Sequence, residues 1–270
     1  GVRMLGKLMK YEGKATWKLL LSANLLTLVM TGLARWMVYL MDKAPYSSDF
    51  EMVNFVAVMV LFTYVMSMFA VFVGTAIYLI YRFYTSTYGD QGYLLHTLPV
   101  DAHHIIIAKL LVSVLWVMMN SLIIYFSVIF LFAASTEVIK SMMDGLVNAI
   151  VYLGEEEISV FVVIMTIVAY IFNLFARVLR VGACISLGQL SSNHKLMLSF
   201  AWYIVIYIVE SIFQGIYFAI RAAIHSQVSP LNYISNFGVD WETTLITGIF
   251  HCVIFYILIW YMMDRKLNLD

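Results

Sequence analysis

The chain has 270 residues, 63% of them hydrophobic and 12% charged, whereas an ordinary soluble domain is about half apolar and about a quarter charged. That composition excludes a soluble globular fold and specifies a membrane protein. Sixteen Lys and Arg balance sixteen Asp and Glu, so no bulk basic field argues for nucleic acid, and the placement of charge along the chain becomes the informative quantity.

Long apolar runs recur from Trp17 to Met263 with no Pro/Gly/Ser-rich linker between them, so residues 1–270 read as one all-α, polytopic membrane domain. The N-terminal stretch Gly1 to Lys18, covering the interfacial segment 1–16 and the start of the first span, spreads Arg3, Lys7, Lys10, Lys14 and Lys18 over some four helical turns, too wide for the short basic tip of a signal peptide. Leu5, Leu8, Met9 and Trp17 among these lysines predict an N-terminal amphipathic helix lying in the membrane interface before the chain turns inward; a basic flank without regular structure is the alternative. An apolar stretch of roughly 20 residues crosses the ~30 Å hydrocarbon core as a helix. Six such spans are predicted, at about 17–41, 52–81, 105–133, 158–190, 196–225 and 243–263. The second carries no charge, and the third has Lys109 near its start. The fourth follows the acidic run Glu155 to Glu157 and, like the fifth, is unusually long.

Lysine and arginine are retained on the cytoplasmic side. With the N-terminus inside, the inner segments hold Arg82, Lys109, Lys195, Arg265 and Lys266 besides the N-terminal cluster, and the outer loops hold Lys43 and Lys140. Both termini are therefore expected in the cytoplasm. Cys184 and Cys252 lie in apolar stretches, where neither reads as half of a disulfide.

Several chemistries lack their residues. No Gly-x-x-x-x-Gly-Lys-Ser/Thr loop, His-Glu-x-x-His pair, Gly-x-Ser-x-Gly turn or Cys-x-x-Cys occurs. No cofactor is expected on this chain, and any ATP dependence must come from another. His96, His103 and His104 fall in one inner loop, but without Cys or a paired carboxylate at ligand spacing they read as solvated histidines, and no metal site is predicted.

That loop, Arg82 to His104, is the most distinctive stretch outside the spans. Gly89 and Gly92 bracket Asp90, Pro99 punctuates it, and Asp101 stands where it can N-cap the third span. Between the breaks Tyr93, Leu94, Leu95 and Leu98 face water unless lipid or a partner protein covers them. The order of a basic amphipathic N-terminus, six spans, and an inner Tyr-Gly-Asp-x-Gly-Tyr-Leu-x-x-Thr-Leu-Pro-Val segment running into Ala-Lys-Leu-Leu resembles the permeases of type-two ATP-binding-cassette (ABC) exporters, in particular the short six-span permeases of Gram-positive bacteria. The motif covers about Tyr81 to Leu111. The resemblance implies a coupling helix at Gly92, Tyr93, Leu94, Leu95, Thr97, Leu98 and Pro99 that docks on a separate ATPase subunit holding ATP and Mg. It also implies a pair of permeases, identical or not, meeting through their first and fifth spans, and a bacterial plasma membrane location.

Within the spans, Arg177 and Arg180 share one helix face, as do Glu210 and Gln214. Pairing of Arg177 or Arg180 with Glu210 is predicted, because an unpaired charge at mid-bilayer costs at least ~2.5 kcal/mol; snorkelling arginines are the bland alternative. An inner hairpin is expected with Ser191 to Lys195 at its tip. Ser211, Gly215, Ala219 and Ala223 repeat every four residues along the fifth span, a face that suits close helix packing, within the chain or across a dimer. The resemblance implies a permease subunit exporting a hydrophobic or amphipathic substrate (peptide, lipid or drug), without bond chemistry of its own. The alternatives are a non-transporting membrane binding or sensor subunit, and an intramembrane enzyme.

Overall fold

A computed structural model describes residues 2–43, 50–89, 92, 101–132, 140–141, 144–145, 160–191, 194–224 and 241–265. Among the described residues there are six long helices and no strand: α1 (Val2–Lys43), α2 (Phe50–Thr87), α3 (Ala102–Phe132), α4 (Val160–Gly188), α5 (Lys195–Ile224) and α6 (Trp241–Arg265). Each is long and apolar enough to cross a membrane, so the chain is an all-helical, multi-pass membrane protein. Large apolar side chains such as Leu25, Phe62, Phe69, Phe126, Phe213 and Phe250 remain exposed. In lipid such faces carry no hydrophobic penalty, and the helices associate through packing and polar contacts instead.

The N-terminal segment is helical but not separate. α1 is one helix of 42 residues, about 63 Å at 1.5 Å per residue, with no turn between residues 2–16 and the first span. Thr16 ties this boundary to α3. Its hydroxyl donates back to Glu12 O and Gly13 O, both at 3.1 Å, and accepts from Trp116 Nε1 of α3 at 2.9 Å. Lys7, Lys10, Lys14 and Lys18 are exposed while Leu5, Leu8 and Met9 are partly covered, and Met9 packs beside Leu20, Val112 and Trp116.

The chain packs as two compact units: 1–81 with 111–157, and 82–110 with 158–270. In the first unit α1 and α3 run parallel. Asn24 Nδ2 donates to Asn120 Oδ1 at 2.7 Å, Thr31 and Ser127 hydroxyls meet at 2.7 Å, and Arg35 Nη1 reaches Leu131 O at 3.5 Å. α2 runs antiparallel to both: Tyr64 OH meets Ser127 Oγ at 2.7 Å, Asn120 Nδ2 donates to Thr75 Oγ1 at 2.6 Å, and Tyr78 OH donates to Ala15 O at 3.2 Å. The buried stripe of α1, Thr16, Leu20, Asn24, Thr27, Thr31 and Ala34, advances by fours and threes, the spacing that keeps one helix face on its neighbours. Ala34, Tyr64 and Leu131 form a second apolar cluster there.

In the second unit α4 packs on α6 along much of its length and on α5 more narrowly. Glycines set the close approach of α4 to α6. A Cβ on Gly248 would stand 2.8 Å from Asn173 Nδ2 and 3.2 Å from Phe172 Cβ, and one on Gly182 would stand 3.1 Å from Ile259 Cδ1. Asn173 Nδ2 crosses the interface to Thr244 O at 2.7 Å, and Cys252 Sγ lies 3.3 Å from Phe172 O. α4 continues unbroken through Gly182 and ends at Gly188, where a Cβ would collide with Ser199 Oγ of α5. The α4–α5 hairpin is thus fixed by backbone-to-side-chain contact. Ser191 and His194 lie in its connection, Lys195 opens α5, and Ser192 and Asn193 fall outside the described residues.

Candidate functional site

The stems of the 89–101 segment belong to the second unit and are built tightly into it. At the end of α2, Tyr84 O accepts from both the Tyr88 and Gly89 N–H groups, at 2.8 and 3.2 Å, and Gly92 N–H donates to Gly89 O at 2.7 Å. The chain folds back so closely that a Cβ on Gly89 would lie 2.8 Å from Thr85 O, and one on Gly92 would collide with Thr87 O. Glycine is required at both places because nothing larger fits against those carbonyls. Of the residues matched to the coupling helix, Gly92 is buried at this turn; Tyr93, Leu94, Leu95, Thr97, Leu98 and Pro99 lie outside the described residues.

Three polar ties anchor the stems. Tyr88 OH donates to Ser186 Oγ of α4 at 2.7 Å, and Ser186 in turn donates to Gly182 O at 2.8 Å. Burial pushes the Tyr88 phenol up to about 12, against the smaller opposing effect of the Ser186 bond. Lys109 Nζ, buried near the start of α3, donates to Ser86 Oγ of α2 and lies 6.0 Å over the Phe83 ring. His103, exposed at the start of α3, meets two aromatic residues of α6, with Nδ1 at 2.6 Å from Tyr256 OH and its ring stacked 5.5 Å from Trp260. Asp101 precedes α3, its carbonyl accepting from His104 N–H at 3.0 Å and its carboxylate 3.7 Å from His104 Nδ1.

Around these ties Ile105 and Ile106 of α3 share a buried core with Leu179 and Ala183 of α4 and with Phe255, Ile259 and Met263 of α6, flanked by Phe83 and Tyr88. Gly182 leaves the space that Phe83 fills, with Phe83 Cζ 3.3 Å from where a Cβ would stand.

Two residues along α4 from Gly182, Arg180 Nη1 donates to Glu210 Oε2 of α5. Their side chains are 16% and 14% exposed, and His251 of α6 brings Nε2 to 3.7 Å from Glu210 Oε1. The Arg180 guanidinium carbon also sits 5.6 Å from the Tyr203 ring centre. Arg177 and Gln214 are exposed; of the residues singled out on these two helices, Arg180 and Glu210 are the ones brought together. The less exposed side of α5 carries Lys195, Leu198, Ser199, Trp202, Ile206 and Glu210, of which Ser199 meets Gly188 and Glu210 meets Arg180 of α4, and Ser211, Gly215 and Ala219 are exposed. Gly215 has no heavy atom within 4 Å of its Cβ position, and the Ala223 side chain falls outside the described residues.

No local sequence pattern marks His251 as a neighbour of Glu210 or announces the uncharged ladder of Asn24, Asn120, Thr31, Ser127 and Tyr64. The four-and-three spacing of Asn24, Thr27, Thr31 and Ala34 in α1 marks a face but not its partners. Among the described residues no three His, Cys, Asp or Glu side chains gather in a way that could hold a metal ion. No protein-family model, curated protein or solved structure matches the chain.

Proposed function

We propose that the chain is the permease subunit of an ATP-driven transporter of the type-two ABC exporter kind, in a bacterial plasma membrane with both termini cytoplasmic. It works with a separate ATPase subunit, which holds ATP and Mg, and with a second permease, to export a hydrophobic or amphipathic substrate. The observation that carries this reading is that both stems of the 89–101 segment share one buried core with α4 and α6. A push on that segment bears directly on the two helices that carry Arg180 and His251.

In this mechanism ATP closes the ATPase pair, and Tyr93, Leu94 and Leu98 move with the groove that grips them. The displacement passes through Tyr88–Ser186 and the Phe83–Gly182 contact into α4, and the Arg180–Glu210 bond is where α4 and α5 exchange partners as access alternates. Bistable packed elements of this sort convert small shifts into discrete rearrangements.

Mild-detergent purification of the tagged chain tests the proposal. A P-loop ATPase should co-purify and be lost when Tyr93→Glu and Leu94→Glu are combined, with the permease still folded. An ATPase retained by that variant, or a transport activity that persists without any ATPase, would refute it.

A further inference from the structure

α1 is longer than a hydrocarbon core is thick, and its excess carries a charged face. Two exposed tryptophans, Trp17 and Trp36, stand about 28 Å apart along the helix at 1.5 Å per residue, close to the ~30 Å depth of that core. Indole rings favour the two headgroup levels, and between them Leu21, Leu25, Leu28 and Val29 are exposed, as contact with lipid tails allows. On this register the helix continues about 22 Å past Trp17 toward Val2.

That extension is two-sided. Lys7, Lys10, Lys14 and Lys18 are exposed, and at 100° per residue they fall within an arc of about 80°. They form one row that starts at the membrane edge and climbs away from it. The opposite side is held by its neighbours: Met9 and Leu20 pack with Val112 and Trp116 of α3, Thr16 accepts from Trp116, and Ala15 O accepts from Tyr78 OH of α2. These ties fix the rotation of α1, so the row faces outward. Glu12, the carboxylate on this stretch, lies at least about 120° round the helix from the row, which is therefore of one sign.

We propose that the lysine row of α1 is a binding surface for the anionic headgroups of phospholipids in the leaflet at its N-terminal end. A headgroup layer is about 5–7 Å deep. Lys18 stands at the level of Trp17 and Lys14 about 4 Å past it, both inside that layer, with Lys10 about 10 Å and Lys7 about 15 Å past Trp17. Lysine stems carry their charge back along the helix toward the interface, and the outer two act within roughly a Debye length of the lipid phosphates. Basic clusters immediately flanking a membrane helix draw anionic lipid in this way. The immersion of Lys14 and Lys18 decides for lipid over an acidic protein, which would meet the row only beyond the headgroups.

Native mass spectrometry of the full chain in maltoside micelles, titrated with phosphatidylglycerol or with phosphatidylcholine, tests this without any ATPase, so its outcome is independent of the transporter reading. Lys14→Gln and Lys18→Gln combined should weaken the first bound phosphatidylglycerol about 25-fold, some fivefold per lysine, and leave phosphatidylcholine unchanged. Lys7→Gln with Lys10→Gln should cost less. Lys14→Arg with Lys18→Arg should keep the affinity, and so should Lys140→Gln, at an exposed lysine remote in sequence from the row. Unchanged phosphatidylglycerol binding after Lys14→Gln with Lys18→Gln would overturn the proposal. So would an equal loss in the arginine variant, or a larger loss from the Lys7 and Lys10 pair. An acidic protein that leaves the chain on those substitutions while lipid binding persists would assign the row to that protein and overturn it too.

Discussion

Replacing Gly248 by Ala adds one methyl group at the closest approach of α4 and α6. That methyl would stand 2.8 Å from Asn173 Nδ2, 3.2 Å from Phe172 Cβ and 3.3 Å from Asn173 N, where ordinary contacts need more room. Asn173 cannot swing aside freely, because its amide donates to Ala169 O at 3.0 Å and Thr244 O at 2.7 Å. Overpacking of this kind costs about 1–3 kcal/mol, and losing the interhelical bond costs about 0.6 kcal/mol, up to about 1.7. Against this, Ala is up to about 1 kcal/mol better than Gly in a helix interior. The net expectation is a loss of about 1–3 kcal/mol, read by reversible unfolding in mixed detergent micelles with tryptophan fluorescence. Gly74→Ala is the control, since nothing lies within 4 Å of its Cβ position; it should be neutral or stabilising. In an Asn173→Ala background the Gly248→Ala cost should shrink by about 1 kcal/mol, as coupling between neighbours requires. If Gly248→Ala is as stable as Gly74→Ala, the close-approach argument is wrong.

Three further outcomes are expected. Arg180→Gln and Glu210→Gln should each destabilise by about 2–3 kcal/mol, somewhat under the range for a fully buried pair because both groups keep some exposure; the double variant should recover most of that, and strict additivity would show that the two charges do not interact. Asn120→Leu strands Asn24 and Thr75 and should lower stability by about 1–2 kcal/mol, whereas an unchanged unfolding midpoint would remove the ladder's structural role. Tyr88→Phe should lose about 1 kcal/mol with the Ser186 bond. It should also blunt alkaline destabilisation: the folded phenol is raised to about 12, so its contribution is complete below pH ~10 and disappears as pH climbs through about 12. Identical alkaline melting of parent and variant would contradict that placement.

Composition and hydropathy alone determined that the chain is an all-helical membrane protein with six spans, because apolar runs of bilayer length have no other stable solution in lipid. The break at Gly89 and Gly92 was also legible, since only glycine tolerates such tight backbone approach. The amphipathic pattern of residues 2–16 allowed either an interfacial helix or an irregular basic flank; α1 is one continuous helix there, tied at Thr16 to Trp116, a residue 100 positions away. Spacing put Arg177 and Arg180 on one face, and tertiary packing selected Arg180 for Glu210 and added His251 from α6. The polar ladder of the first unit was likewise set by interhelical offset. Local periodicity records which side of a helix is special, whereas the identity of the neighbour depends on how helices distant in sequence are rotated and shifted against one another.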